Sequence, residues 1–248
     1  MRLSDRCLAI TGLGYLPPWT VNGGFIIGDD TTLLVDTGAN AAAASTIHGY
    51  ASIARPSNRL LALNTERHFD HIGGNGFFRD RGIDVWGHAS IQRTDDEFRA
   101  EMEEFNAAIS NAARRSRHEA EVFYGETRLA NPNCPIARDT RMNLGACEIQ
   151  ILLTPGHTPS NISVYVPSDA VVYSGDCLVN GYLPNLDAGS AADWRIWLQS
   201  LDRIAALAPK FVVPGHGAVA AGDGVPRLIE SVREVLRNSI EAGRSPTG

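Results

Sequence analysis

Cysteine is scarce in this 248-residue chain. Cys7, Cys134, Cys147 and Cys177 form no C-x-x-C pair, so their spacing indicates neither a disulfide framework nor a zinc ribbon. Long apolar runs are also missing. Met1-Arg2-Leu3-Ser4-Asp5-Arg6 leads into only a short apolar stretch, with no signal-peptide core and no span long enough for a bilayer. Positive charge is not in excess: 22 Lys and Arg against 28 Asp and Glu leave a formal net charge of -6, which gives no support for a nucleic-acid surface. The expectation is a cytoplasmic protein acting on a small molecule, with no nucleic-acid or membrane partner, and with a homodimer left open. At 44% hydrophobic and 20% charged, the composition suits one soluble domain spanning 1–248, long enough to bury a sizeable core.

Chemistry concentrates in Asn64-Thr65-Glu66-Arg67-His68-Phe69-Asp70-His71-Ile72-Gly73-Gly74-Asn75, which follows the apolar run Leu60 to Leu63. A Glu, two His and an Asp within six positions, ahead of a Gly-Gly step, form a metal-site signature. Imidazole and carboxylate are the ligands shared by Zn, Fe and Mn, and a tight loop at a strand end can turn alternate side chains toward one point. Three further apolar runs lead to similar groups: Ile149 to Leu153 before Pro155-Gly156-His157, Ala170 to Ser174 before Gly175-Asp176, and Phe211 to Val213 before Pro214-Gly215-His216. Four strand ends offering His or carboxylate suit two metals better than one.

In this order the motifs resemble the metallo-β-lactamase superfamily, whose pattern is His-x-His-x-Asp-His, then Gly-His, Gly-Asp and a late Gly-His. Leu33-Leu34-Val35-Asp36-Thr37-Gly38 resembles the family's first motif, so the likeness spans Leu33 to Gly217. It implies an α/β fold, the four-layer αββα sandwich. It also implies one metal held by Glu66, His68 and His157 and a second by Asp70, His71 and His216, with Asp176 bridging. Zn is the first expectation for the two divalent ions. One departure stands out: the family's first His is Glu66 here. A carboxylate is a harder, charged ligand, which admits Fe or Mn and lowers Lewis acidity. Flavodiiron proteins of the same superfamily also carry a Glu in this motif, at the second His position.

Periodicity gives strands near Cys7 to Gly14, Gly24 to Gly28, Thr32 to Asp36, Ile83 to Trp86, Glu148 to Leu153, Ile162 to Val166, Ala170 to Ser174 and Phe211 to Val213. Helices are expected over Ala39 to Ala54, Gly73 to Phe78, Ala191 to Leu207 and Val225 to Ala242. Thr94-Asp95-Asp96-Glu97 reads as a capping box opening another helix, part of a helical insertion at about 94–145, with Phe98, Met102, Phe105, Ile109 and Ala112 on one stripe. By resemblance this region covers the metals. The cluster Arg114-Arg115-Ser116-Arg117-His118 reads as a solvated helix end or as an anion clamp. Cys177 should face the core if its neighbour Asp176 faces the metals.

The resemblance implies a metal-dependent hydrolase in which a metal-bound hydroxide attacks an ester, thioester or lactone. Asp70 would orient the hydroxide and shuttle its proton, Asp36 and Thr65 are candidates to steady the imidazoles, and Asn180 and Tyr182 are candidates to touch substrate. Other branches fit less well. The tail is short for a glyoxalase II, Val179 stands where quorum-quenching lactonases place a Tyr, the RNA-processing insertion is missing, and a cytoplasmic address does not suit a β-lactamase. Two alternatives stay open, a mononuclear iron oxygenase like the persulfide dioxygenases and a non-catalytic binding protein on the same fold.

Overall fold

The computed structural model describes residues 1–13, 20–113, 125–187 and 189–246, together with their side chains except at 105, 106 and 108–113. The first half opens with an antiparallel meander, β1 (Cys7–Leu13), β2 (Val21–Ile27) and β3 (Thr31–Val35), whose second turn is Asp29-Asp30 as the acidic pair suggests. Asn40 then caps α1 (Ala41–Ala54) by accepting from the Ala43 N–H at 2.7 Å. The chain returns through β4 (Arg59–Leu63), α2 (Phe69–Ile72), α3 (Asn75–Arg79), β5 (Val85–His88), α4 (Asp95–Ala113) and β6 (Cys134–Ile136), with β3, β4, β5 and β6 parallel neighbours.

The second half repeats the theme. β7 (Thr140–Asn143), β8 (Glu148–Leu153), β9 (Ile162–Val166) and β10 (Val171–Asn180) form a second antiparallel meander. α5 (Ala191–Ala206) crosses over to β11 (Phe211–Gly217), parallel to β10, and β12 (Ala220–Ala221) and α6 (Gly224–Ala242) complete the described elements. The sheet order is β6-β5-β4-β3-β2-β11-β10-β9-β8-β7, with β1 on β2 and β12 on β11; the halves meet through the pair Val21–His216.

Side-chain alternation turns this path into layers. Leu33 and Val35 point inward with Ile26, Leu61 and Leu63 and meet Ile149, Ile151, Ile162, Val164, Val171 and Tyr173 of the other half, while Leu34 points outward onto the helical side with Ala44 and Ile47. On the opposite face Trp194, Trp197, Leu201 and Ile204 of α5 and Val225, Leu228, Ile229, Val232 and Leu236 of α6 cover Val172, Leu178 and Val212. Helices, sheet, sheet and helices are therefore stacked in four layers, the αββα sandwich. No helix among the described residues is long and apolar enough to cross a membrane.

Differences from the sequence reading have local causes. β6, β7 and β12 are short and partly exposed, so periodicity gives no signal for them. β10 and β11 continue past Ser174 and Val213 because register irregularities around Gly175 absorb the turn that the Gly suggests. The helix expected over Gly73 to Phe78 is α3, which begins at Asn75, and the metal loop adds a short helix of its own, α2, from Phe69. The capping box is present: the Thr94 and Glu97 side chains each accept from the other's backbone N–H, at 3.2 and 2.8 Å. Gly14 and the cluster Arg114 to His118 lie outside the described residues, as do the side chains of Phe105, Ile109 and Ala112.

Helix α4 docks on the metal loop. The Phe98 ring stands edge-on to Phe69 at 5.2 Å, and buried Arg93 ties the Arg67 carbonyl to Glu101, whose carboxylate in turn accepts from the Phe69 N–H. Phe98→Ala empties that contact and is expected to lower the unfolding free energy by about 3 kcal/mol, read from the urea midpoint. A change below about 0.5 kcal/mol would mean that α4 does not pack there.

Candidate metal centre

Beyond β4 the chain cannot run straight on. Asp36, at the end of β3, adopts a left-handed backbone (φ 59), and its carboxylate accepts from both the Thr65 N–H and the Thr65 hydroxyl, each at 2.7 Å. Behind the loop, Asn64 and Asn75 exchange amide hydrogen bonds at 2.8 and 3.0 Å, and Asn64 and Thr37 both donate to the His71 carbonyl. The Gly73-Gly74 step lets this loop lie against the β3–α1 turn: a Cβ on either residue would stand 2.2 Å from a carbonyl oxygen of Ala39 or Thr37. Glu66, Asp70 and His71 emerge fully or almost fully buried.

His157 arrives from the β8–β9 turn, Asp176 from within β10 and His216 from within β11. Asn22 holds the His216 segment by donating to the carbonyls of Pro214 and Gly217 at 3.0 and 2.7 Å. Three imidazoles are oriented from behind. His71 Nδ1 faces Asp36 at 3.0 Å, His216 Nδ1 faces the Thr20 carbonyl at 2.9 Å and His157 Nδ1 faces the Asn185 carbonyl at 3.2 Å. Acceptors at Nδ1 hold a proton there, so that each Nε2, once deprotonated, directs its lone pair inward. His68 is turned the other way, with Nδ1 inward, 2.7 Å from Glu66 and 3.1 Å from His157 Nε2.

Inside, the ligand atoms form the sets Glu66–His68–His157, Asp70–His71–His216 and Glu66–His71–Asp176, each within 4.8 Å. His71 Nε2 to Asp176, His216 Nε2 to Asp70 and His216 Nε2 to Asp176 measure 3.3, 3.2 and 3.3 Å. His157 Nε2 lies 3.5 Å from Asp176 and 3.7 Å from Glu66. Ligands bound at about 2.1 Å in a tetrahedron stand about 3.4 Å apart, so these spacings are those of atoms sharing an ion. Glu66 Oε2, His71 Nε2 and Asp176 Oδ1 are buried without a hydrogen-bond partner, which a divalent cation would supply. The donor set fits the metal ions that the sequence pattern implies.

Electrostatics agree. Burial alone would lower the His68 pKa, but the Glu66 carboxylate raises it to about 9. Burial is likewise outweighed at His71, by Asp36, Asp70 and Asp176, and at His216, by Asp176 and Asp70, leaving both well above the imidazole range. At Asp176 burial pushes upward, and His216 and His71 override it, holding the carboxyl well below its usual range. Without metal the cluster therefore keeps protons where a cation would sit.

The candidate substrate contacts lie apart from this interior. Asn180, the last residue of β10, donates to the Ala218 carbonyl at 2.7 Å, and Tyr182, on the segment past β10 that also carries Asn185, is 38% exposed. Cys177 faces away into the α5 core, and burial pushes its thiol to about 12. Asn22, Thr37, Asn64 and Asn75 are supports that the sequence does not single out; polar residues flanking apolar strand runs are their only signal. Trp197 is buried in the α5 core, yet its ring also stands edge-on to His157 at 5.6 Å.

The profile of the metallo-beta-lactamase superfamily matches residues 16–216, and the chain belongs to that superfamily. Metallo-beta-lactamase type 2 of Bacteroides fragilis is 23% identical over 251 residues, covering 99% of this chain and 88% of that protein. The probable metallo-hydrolase YqgX of Bacillus subtilis (strain 168) is 26% identical over 209 residues, 84% of this chain and 86% of its own. Hydroxyacylglutathione hydrolase of Rhodospirillum rubrum is 28% identical over 177 residues, 71% of this chain and 55% of its own. Among solved structures, a metallo-beta-lactamase family protein from Thermus thermophilus superposes with a TM-score of 0.68 at 23% identity, covering 94% of this chain and 81% of that one. A metallo-beta-lactamase from Pontibacter korlensis gives 0.65 at 18% identity, covering 94% and 97%.

Two outcomes are expected. Ligand imidazoles must lose protons to bind metal, so uptake at pH 7 should release about three protons per chain, from His68, His71 and His216, and tighten as the pH rises toward 9. Calorimetry in buffers of different ionisation enthalpy counts them, and release of none would contradict the protonated cluster. Gly215→Ala places a methyl group 1.8 Å from Asp176 Oδ1. It should lower metal affinity by about tenfold or more while the far-ultraviolet dichroism stays native; unchanged affinity would show that Asp176 need not occupy this position.

Proposed function

We propose that the protein is a hydrolase that uses two divalent ions, zinc before manganese or iron, to open an ester, thioester or lactone in a small molecule. The observation that carries the reading is the inward convergence of seven side chains from four loops and strands, with three buried polar atoms left unpartnered. When bound, such ions lower the pKa of water toward neutrality and polarise a carbonyl oxygen.

The chain's own groups do the rest. Asp36 fixes the tautomer and plane of His71, and the Thr20 and Asn185 carbonyls do the same for His216 and His157. Asp70, buried 3.2 Å from His216, is the carboxylate assigned to orient the attacking water and take its proton. Asp176 stands between the two triads, within 3.5 Å of His71, His157 and His216. Asn180 and Tyr182 border the segment where a substrate would approach. The net charge of -6 supports a small, locally steered substrate in place of a nucleic acid.

Metal-loaded protein is to be assayed against an ester, a thioester, a lactone and a β-lactam. Asp70→Asn should lower kcat by about a hundredfold or more, with metal content read in parallel. Unchanged turnover in that variant, or no hydrolysis of any substrate with two ions bound, would overturn the reading. One observation favours a second reading: Glu66, His68 and His157 form a two-histidine, one-carboxylate set, the donor pattern of non-haem iron oxygenases. Protein loaded with one iron would then consume oxygen in the presence of a thiol persulfide, and an oxygen electrode decides between the two.

A further inference from the structure

We propose that Glu66 bridges the two ions, as a second carboxylate facing both triads, and does not simply replace an imidazole at the first; this rests on the two-ion reading above. An imidazole edge offers one lone pair to one ion, whereas a carboxylate offers two oxygens. Asp176 shows what bridging geometry looks like in this protein: Oδ1 lies 3.3 Å from His71 Nε2, in the second triad, and Oδ2 stands between the triads, 3.3 Å from His216 Nε2 in the second and 3.5 Å from His157 Nε2 in the first. Glu66 repeats it. Oε1 stands between the triads, 2.7 Å from His68 Nδ1 in the first and 3.5 Å from His71 Nε2 in the second, while Oε2 lies 3.7 Å from His157 Nε2 in the first. Its ligand atom also falls within 4.8 Å of both His71 and Asp176, a set that ignores the division into triads.

Two further facts hold Glu66 in that position. The residue is fully buried and its Oε2 has no hydrogen-bond partner, so no water shell competes for the free oxygen. Its backbone origin is fixed as well, because the preceding Thr65 is clamped by Asp36 on one side and accepts from the Ile162 N–H at 2.6 Å on the other. A carboxylate that touches both ions couples them: the first ion orders the ligand that the second needs, and the extra negative charge offsets repulsion between the ions.

The test is stepwise uptake of Mn²⁺ by the full-length, metal-free chain, followed by calorimetry with chelator competition. Wild-type protein is expected to load two ions in one cooperative step. Glu66→His, which restores the family ligand without a second oxygen, should still take two ions but in two steps about tenfold or more apart. Glu66→Asp keeps the charge and loses the reach, and should also split the step. Two separated steps in the wild type, or a single step surviving in Glu66→Asp, would overturn the bridge. If those variants fail to fold, the isosteric Glu66→Gln decides: because Asp176 alone can couple the two ions, an exchange-coupled spin-resonance signal weaker than that of the wild type supports the bridge, and an unchanged signal overturns it. A chain that takes only one ion overturns the bridge and leaves hydrolysis to the turnover assay. A chain that takes none removes the metallohydrolase reading itself.

Discussion

Glu66, Asp70 and Asp176 are buried carboxylates, and an ionised carboxylate taken out of water destabilises a fold unless opposite charge meets it. In this protein the opposite charge comes from His68, His71 and His216, whose imidazoles hold protons beyond their ordinary range because the carboxylates surround them. That compensation is incomplete, since Glu66 Oε2, His71 Nε2 and Asp176 Oδ1 still lack hydrogen-bond partners. The two β layers are otherwise joined by an apolar interface from Ile26 and Leu33 to Val164 and Tyr173, so this polar cluster is confined to one edge of the sandwich. A cation is the species that satisfies all of it at once.

The scaffold answers that requirement by fixing each ligand from behind. The sheets join through Val21 and His216, which places a ligand at the junction, and Asn22 locks the same segment with two amide hydrogen bonds. Asp36 accepts a left-handed backbone in order to serve Thr65 and His71 together. The Asn64–Asn75 pair satisfies two buried amides mutually and anchors the His71 carbonyl. Rigidity of this kind preorganises lone pairs, so that binding an ion requires loss of protons more than movement of chain.

Much of this is legible in the sequence, and the parts that are not share a cause. The apolar run in Thr31–Val35 and the helical stripes of Ala191–Ala206 and Gly224–Ala242 report burial directly, so these elements follow from pattern. The positions of His157, Asp176 and His216 are also visible, because each follows a Gly after an apolar run. Strand limits are not. Asp176 and His216 lie inside β10 and β11, where register irregularities do what the pattern assigns to strand ends. Nor are Asn22 and Thr37 legible as supports, since their partners lie far along the chain, and although Asn64 and Asn75 belong to one loop, nothing in their spacing announces that they pair with each other. The Thr94–Glu97 box is legible because its two partners are three residues apart.

Glu66 also changes the charge of the site. Where the family pattern has two carboxylates among these ligands, this chain has three, Glu66, Asp70 and Asp176. Under the two-ion reading, two divalent ions would bring four positive charges, so the excess left after the side chains would fall from two to one. The ions then withdraw electron density less strongly from anything they bind, and they discriminate less against harder, oxygen-preferring metals such as Mn and Fe. Weaker polarisation favours carbonyls that are already electrophilic, and among the proposed substrates that ordering puts thioesters and strained lactones ahead of simple esters. In the proposed bridge, the same extra charge at 3.5 Å from His71 Nε2 would tie the second ion to the first. If both ions bind as proposed, the identity of this one side chain sets metal preference, coupling between ions and substrate reactivity together, and the three cannot be tuned independently by substitution at position 66.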